Sequence, residues 1–348
     1  MSNITIKDIA KALNFSVSTI SKALNNSYEI SPETKKIVTE YAKTHNYTPN
    51  RFAKSLKAGQ STSIGVIISS FFSTTFLAQI IDGIYKASYE VGYDIIIMQS
   101  FENVKRERDC LDTLISKGVD GILIAPVSET SNTDYLNFIN SSLCPIVLFD
   151  RINTSVNTTK IGVNEYNGIL EATQHLISIN RKRILFVTGD KFGENNQRIL
   201  GFTKALKNLD IPLNSRYMIY CNLENIAELD EKIRKSIIDL REMKIGPNAI
   251  FGATDLITIR TLGILAEMQI KVPDEIAVIG FANTDIAFAM NPPLSAIRQP
   301  ATEMGYLSLK KLIEIINLEI EGKKKTKYET VLLETVLNIR KSTQLAVL

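Results

Sequence analysis

The chain has 348 residues, 45% of them hydrophobic and 22% charged, with a formal net charge of +3. That length and apolar content exclude a disordered protein and exceed one ordinary domain. No apolar run approaches the roughly 18 residues of a membrane span, and MSNITIKDIA lacks the charged-then-apolar order of a signal peptide, so a cytoplasmic location is expected.

From Ile4 onward the sequence signals three short helices. Thr5 is placed to cap the first, with Asp8 in capping-box position and Ile9, Ala10 and Leu13 on one face. Asn14, a residue that tolerates a left-handed backbone, ends it. Ser16 caps a second helix with Ile20, Ala23 and Leu24 inward, and Ser31-Pro32-Glu33 starts a third with Ile37, Val38, Tyr41 and Ala42 inward. Three helices with only a tight turn between the first two read as a helix-turn-helix, although a plain helical bundle shares that pattern. The outward face of the second helix is Val17, Ser18, Ser21, Lys22 and Asn25, small or basic and free of carboxylates, as entry into a major groove requires. Residues 1–60 hold nine Lys and Arg against four Asp and Glu, whereas the remainder holds 31 against 33. The excess positive charge therefore belongs to the head, where phosphates would be neutralised.

The next segment, YTPNRFAKSL (47–56), is too short to be helical alone. A helix-turn-helix followed by this motif resembles the LacI/GalR family of bacterial repressors. The resemblance implies a hinge that becomes helical when two copies meet in the minor groove, with Leu56 as the wedge and Ala53 one turn earlier. It assigns base reading to Ser16, Val17, Ser18 and Lys22; Ser21 and Asn25 on the same outward face, Arg51, Lys54 and Lys57 as phosphate-meeting cations, and Thr5 and Asn50 complete the expected DNA-contacting set. Lys54 stands where Arg is commoner, and Asn14 where Gly is common.

After a polar linker, apolar runs alternate with amphipathic stretches. Strands are expected at 63–69, 93–99, 121–126 and 145–150, with helices near 76–91, 105–117 and 134–141 between them. A second set of strands is expected at 160–163, 184–189, 218–220, 249–253 and 276–281, with helices near 165–179, 198–209, 226–243 and 255–268. Continuous Ile and Val runs indicate strands covered on both faces, so the fold class is α/β with two doubly wound parallel-sheet lobes. Late strands near 295–299 and 330–340 flank a helix at about 301–321 that crosses between lobes. The expected domains are a DNA-binding head at 1–48, a hinge and linker at 49–62, and a two-lobed body at 63–343. Lobe one would take about 63–158 plus 293–325, and lobe two about 159–292 plus 326–343.

The body, too, resembles the family's effector domain, of periplasmic-binding-protein-like type, through KGVDGIL (117–123), PIVLFDR (145–151), RILFVTG (183–189), VPDEIAVIGF (272–281) and PPLSAIRQP (292–300). A ligand would sit beyond the carboxyl ends of strands, between the lobes. Candidates are Ser69, Ser70, Phe71, Phe72, Phe76, Ala125, Asp150 and Arg151 from lobe one, and Arg198, Thr254, Asp255, Asn283 and Asp285 from lobe two. An aromatic platform with an arginine and a carboxylate suits a sugar, and the resemblance matches Asp150 and Arg198 to ligand-contacting positions. Equally, Asp150 could cap a turn, Arg198 could be a solvated charge, and Phe72 and Phe76 could be plain packing. Ala282 stands where the family usually has an effector-contacting Asp, so Asn283 or Asp285 substitutes or the effector differs.

Signatures of catalysis are missing: there is no GxGxxG, P-loop, GxSxG or HExxH. The two histidines, His45 and His175, have no partner at ligand or triad spacing, and Cys110, Cys144 and Cys221 read as small buried hydrophobes. No cofactor, metal or membrane partner is expected. The resemblance implies instead a transcriptional regulator, a repressor, that binds a pseudo-palindromic operator as a homodimer under control of a small-molecule, carbohydrate effector.

Overall fold

The computed structural model describes residues 4–47, 61–69, 75–127, 132–152, 155–190, 196–323 and 327–344. They fall into two units, residues 1–61 and 62–348.

In the head, helices α1 (Ile6–Leu13), α2 (Val17–Leu24) and α3 (Pro32–Thr44) begin at the expected caps. Thr5 and Asp8 form a reciprocal capping box, and Asn14 adopts the left-handed conformation (φ 52°) that turns the chain into α2. Ile9, Ala10, Ile20, Ala23, Val38 and Ala42 are buried at the centre of the three helices. Ile37, expected inside, is 44% exposed; the inward stripe of α3 runs through Val38, Tyr41 and Ala42 instead.

The body comprises strands β1 (Ser63–Ile68), β2 (Asp94–Gln99), β3 (Gly121–Ile124), β4 (Ile146–Phe149), β5 (Thr159–Val163), β6 (Ile184–Gly189), β7 (Met218–Cys221), β8 (Ala249–Gly252), β9 (Ala277–Phe281), β10 (Ser295–Arg298), β11 (Thr330–Leu333) and β12 (Val336–Asn338). Its helices are α4 (Thr75–Val91), α5 (Val104–Ser116), α6 (Thr133–Ser142), α7 (Glu165–Ser178), α8 (Gln197–Asn208), α9 (Ile226–Glu242), α10 (Asp255–Glu267) and α11 (Ala301–Ile320). Two six-stranded sheets form, in the orders β11-β5-β4-β3-β1-β2 and β12-β10-β9-β8-β6-β7. Every pairing is parallel except β10 with β12. The central strands are buried on both faces, which is why they read as continuous apolar runs.

Pairing corrects the expected lobe boundaries. β5, expected in the second lobe, pairs with β4 and β11 and completes the first sheet. β10 pairs with β9 in the second sheet, and β11 belongs to the first. An apolar run carries no label for its partner, so contiguity in sequence assigned these strands to the wrong side. The chain crosses between lobes after β5, after β10 and after β11, each time over very few residues.

α4 and α11 cross closely on lobe one, and two glycines set their approach. A Cβ on Gly83 would lie 1.9 Å from the Thr302 carbonyl oxygen, and one on Gly305 2.0 Å from that of Ile80. Backbone on both sides leaves no side chain to move aside. Gly305→Ala should destabilise the body by about 2–3 kcal/mol. Gly263→Ala, at a helical site with open space around it, should instead stabilise by about 0.5–1 kcal/mol. Urea unfolding of the two variants checks both signs.

Candidate DNA-reading face and inter-lobe cleft

On the head, α2 presents the expected outward residues. Ser16, Val17, Ser18 and Asn25 are exposed, and Ser21 and Lys22 are partly so. The Ser16 hydroxyl accepts the Thr19 N–H (3.0 Å) as the helix cap, and the Asn25 side chain donates to the Ser21 carbonyl (2.8 Å). Thr5 is engaged with the Asp8 carboxylate through its N–H (2.8 Å) and hydroxyl (2.7 Å). The Lys22 ammonium is bonded to Glu29, on the turn between α2 and α3. The expected hinge residues Asn50, Arg51, Ala53, Lys54, Leu56 and Lys57 lie outside the described residues, as do Ser70, Phe71 and Phe72 of the body.

In the body, strand ends bring a charged cluster together. Asp150 and Arg151 follow β4, Glu102 follows β2, Glu165 opens α7, Arg198 lies in the first turn of α8, and Asp255 opens α10. Arg198 is bonded to Glu165 and to the Ala253 carbonyl, and its guanidinium lies 4.2 Å from the centre of the Phe281 ring. Burial works against that charge, but Glu165, then Asp150 and Asp255, outweigh it and hold the guanidinium above its ordinary pKa. Arg151 donates to Glu102 at 2.7 Å. Asp150 and Arg198 thus interact from opposite lobes. Burial drives the Asp150 carboxyl up from 3.8 to about 6, with Arg151 opposing it, Glu165 adding to it and Arg198 opposing it.

Other expected ligand residues have different work. Phe76 is partly buried against the core of lobe one, which is the packing reading. Ala125 is fully buried, its N–H donating to the Ile67 carbonyl at 2.9 Å. Thr254 caps α10 by accepting from the Ile257 N–H at 3.3 Å. Asp285 is exposed and pairs with Arg298 at 2.7 Å.

Asn283 requires the largest correction. It is fully buried and its polar atoms are committed to protein. Its amide donates to Gln79 Oε1 (3.0 Å) and to the Gln299 carbonyl (2.8 Å), and its Oδ1 accepts the Gln299 N–H (3.0 Å). Its backbone N–H donates to Asp255 (2.8 Å), and its carbonyl accepts from the Gln79 side chain (3.2 Å). Asn283 therefore ties α4 of lobe one to lobe two and to the floor of the charged cluster. Ala282, beside it, is 3% exposed within the core of lobe two.

Gln79, Glu102 and Glu165 were not singled out from sequence. Glu165 was legible in principle, because it follows a strand end. Yet an acid in the first turn of a helix is ordinary, so nothing marks it as a cleft residue until Arg198 is seen bonded to it.

His175 and the three cysteines are held within the packing. His175 pairs with the Thr343 hydroxyl at 3.0 Å, and burial lowers its pKa. Cys110 and Cys221 are buried and Cys144 partly so, all free; burial pushes the Cys144 thiol to about 12 and Cys221 to about 11. Among the described residues no cluster of metal-binding side chains forms, and no helix is long and apolar enough to cross a membrane.

The raised Asp150 pKa has a measurable consequence. Its carboxyl holds a proton more tightly folded than unfolded, so ionising it costs stability. That cost is absent below about pH 4 and complete above about pH 6. Asp150→Asn, which also suits the left-handed backbone there (φ 60°), should raise the melting temperature at pH 7.5, with the gain fading toward pH 4. A gain that persists unchanged at pH 4 contradicts the assignment.

Known proteins share both parts. Residues 5–50 match the family described as bacterial regulatory proteins, lacI family, and residues 173–343 match the periplasmic binding protein-like domain. The HTH-type transcriptional repressor PurR of Histophilus somni (strain 2336) is 30% identical over 339 residues, covering 97% of this chain and 98% of its own. The Lac repressor dimer bound to operator and the anti-inducer ONPF superposes with a TM-score of 0.83 at 21% identity, over 98% of this chain and 99% of that one. A complex of the transcriptional regulator CelR with cellobiose does so at 0.70 and 22% identity, over 97% and 99%. With the helix-turn-helix head, the two crossed-over lobes and full-length similarity together, this chain belongs to the lacI family of bacterial regulatory proteins.

Proposed function

We propose that this protein is a transcriptional repressor that reads a pseudo-palindromic operator as a homodimer and is controlled by a carbohydrate bound between its lobes. The observation that carries the reading is the pairing of two features in one chain. A carboxylate-free face on α2 is exposed for DNA, and a partly buried polar cluster spans both lobes at the strand ends. The repressor named PurR, similar over nearly the whole chain, supports the function class.

One helix-turn-helix offers too little surface for tight binding alone, which favours two copies on a two-fold site. Large exposed apolar side chains on both lobes, Tyr85 and Tyr89 on one and Ile286 and Phe288 on the other, are suited to covering by a second copy. Carboxylates and guanidiniums alternating around Asp150 and Arg198 suit a ligand dense in hydroxyls. The CelR–cellobiose complex is a case of this fold holding a carbohydrate.

Control follows from differential affinity. A ligand touching Asp150 on one lobe and Arg198 on the other prefers one closure of the lobes, and only that preference can alter DNA binding, typically ~5–150-fold. Operator DNA must then change ligand affinity by the same factor. The Gln79–Asn283 contact joins the two lobes beside the cluster and is suited to register that closure. Arg198 also neutralises three carboxylates, so Arg198→Ala should cost on the order of 3 kcal/mol of body stability besides abolishing the ligand response.

Selection of random duplexes by the full-length protein should return a two-fold symmetric motif, and the motif should be lost on deleting residues 1–61. Unrelated sequences would sink the operator reading. Thermal-shift screening of the deleted form against neutral sugars and planar heterocycles such as purine bases tests the effector class. Stabilisation by heterocycles alone replaces the carbohydrate reading.

A further inference from the structure

The Lys22–Glu29 ion pair lies on the head's reading surface. Lys22 is in the last turn of α2, and Glu29 sits on the turn leading to α3. That turn is fixed from within. The Ser27 N–H donates to the Lys22 carbonyl (2.9 Å), Asn26 is left-handed (φ 53°), and the Lys35 ammonium reaches the Asn26 carbonyl (3.3 Å). Ile30, next to Glu29, packs against the head's core. The Glu29 carboxylate is therefore held over the end of α2.

The other acids of the head have other places. Asp8 closes the α1 capping box, Glu33 lies in the first turn of α3, and Glu40 is exposed farther along α3. A carboxylate near DNA repels phosphates whatever the sequence, so an acid bonded to a reading-helix cation opposes binding unless it does something else. Lysine alone is a compact charge on a flexible stem, able to meet phosphate as readily as a base. Bonded to Glu29, its ammonium keeps two of its three donors but loses its range of positions.

We propose that Glu29 is a specificity-positioning residue: by tethering Lys22 at the end of α2, it withholds that charge from the phosphates of random DNA and commits it to an acceptor-bearing base edge, such as guanine O6 and N7. This rests on the reading of α2 as the DNA-reading helix.

The test uses the full chain with Glu29→Ala, Lys22→Ala, both together, and Glu40→Ala, which changes net charge equally without touching Lys22. The probes are a random-sequence duplex and the motif selected by the unaltered protein. Glu29→Ala should bind the random duplex several-fold more tightly and steepen its log–log salt dependence by about 0.9, as one added phosphate contact requires. The ratio of selected to random affinity should fall about ten-fold, within the range of one base contact. In the Lys22→Ala background neither the salt slope nor the ratio should change, because only the uniform repulsion by the carboxylate is then relieved, and Glu40→Ala should leave the ratio unchanged. The proposal is overturned if Glu29→Ala behaves like Glu40→Ala, or if its effect survives without Lys22. A selection that returns no shared motif defeats the operator reading itself, while the salt slopes on random duplex still decide whether Glu29 restrains Lys22.

Discussion

Arg198 carries its charge where water has little access, and the charge is tolerable only because carboxylates converge on it. Glu165 comes from the start of α7, Asp150 from the end of β4, and Asp255 from the start of α10. No two of these are neighbours in sequence, so the balance exists only when both sheets are formed and the lobes are facing. An unbalanced buried charge costs several kcal/mol, and that cost disciplines the geometry. The same balance is unfinished at Asp150, whose carboxyl is pushed up because burial outweighs the two arginines. A structure optimised for stability alone would have removed that carboxylate. Its retention fits a place where another molecule completes the arrangement.

Much of this was readable in the chain, and the reason differs from part to part. The head was legible because its signals are local: Thr5, Asn14, Ser16 and Ser31 act on backbone within a few residues, and each does what its side chain favours. Strands were legible because two-sided burial leaves continuous apolar runs. What failed was partnership. Nothing in the four residues of Lys160–Val163 says that they pair with Ile146–Phe149 rather than with the strand that follows, and the lobe boundary went astray with them. Glu165 escapes for a different reason: an acid in the first helical turn is ordinary, and only its bond to Arg198 marks it. Asn283 was misread for another: as a polar residue at a strand end it fits a ligand site, and only its burial beside Gln79 and Gln299 reveals a tie between lobes.

Head and body solve different electrostatic problems with the same few residue types. In the head, excess positive charge remains exposed, and Glu29 is bonded to a lysine of α2. In the body, charge is withdrawn from water and matched within a few ångströms. Salt weakens the first arrangement and barely reaches the second. Ionic strength and ligand therefore act first on separate parts of the chain, and they meet only through the coupling of DNA to ligand.

The triple passage between lobes also bears on how the protein is made. Neither lobe is a contiguous stretch of chain. Lobe one lacks α11 and its edge strand until residue 333 has been synthesised, by which time most of lobe two has emerged. Lobe two in turn waits for Val336–Asn338, and then for Ser342 and Thr343, which bond to Val278 and Ser295 beneath its sheet. The head alone is complete early, with its own core. On the ribosome, a folded DNA-binding head thus precedes a body whose two halves both wait for residues 330–343, so the controlling part is the later one to become whole.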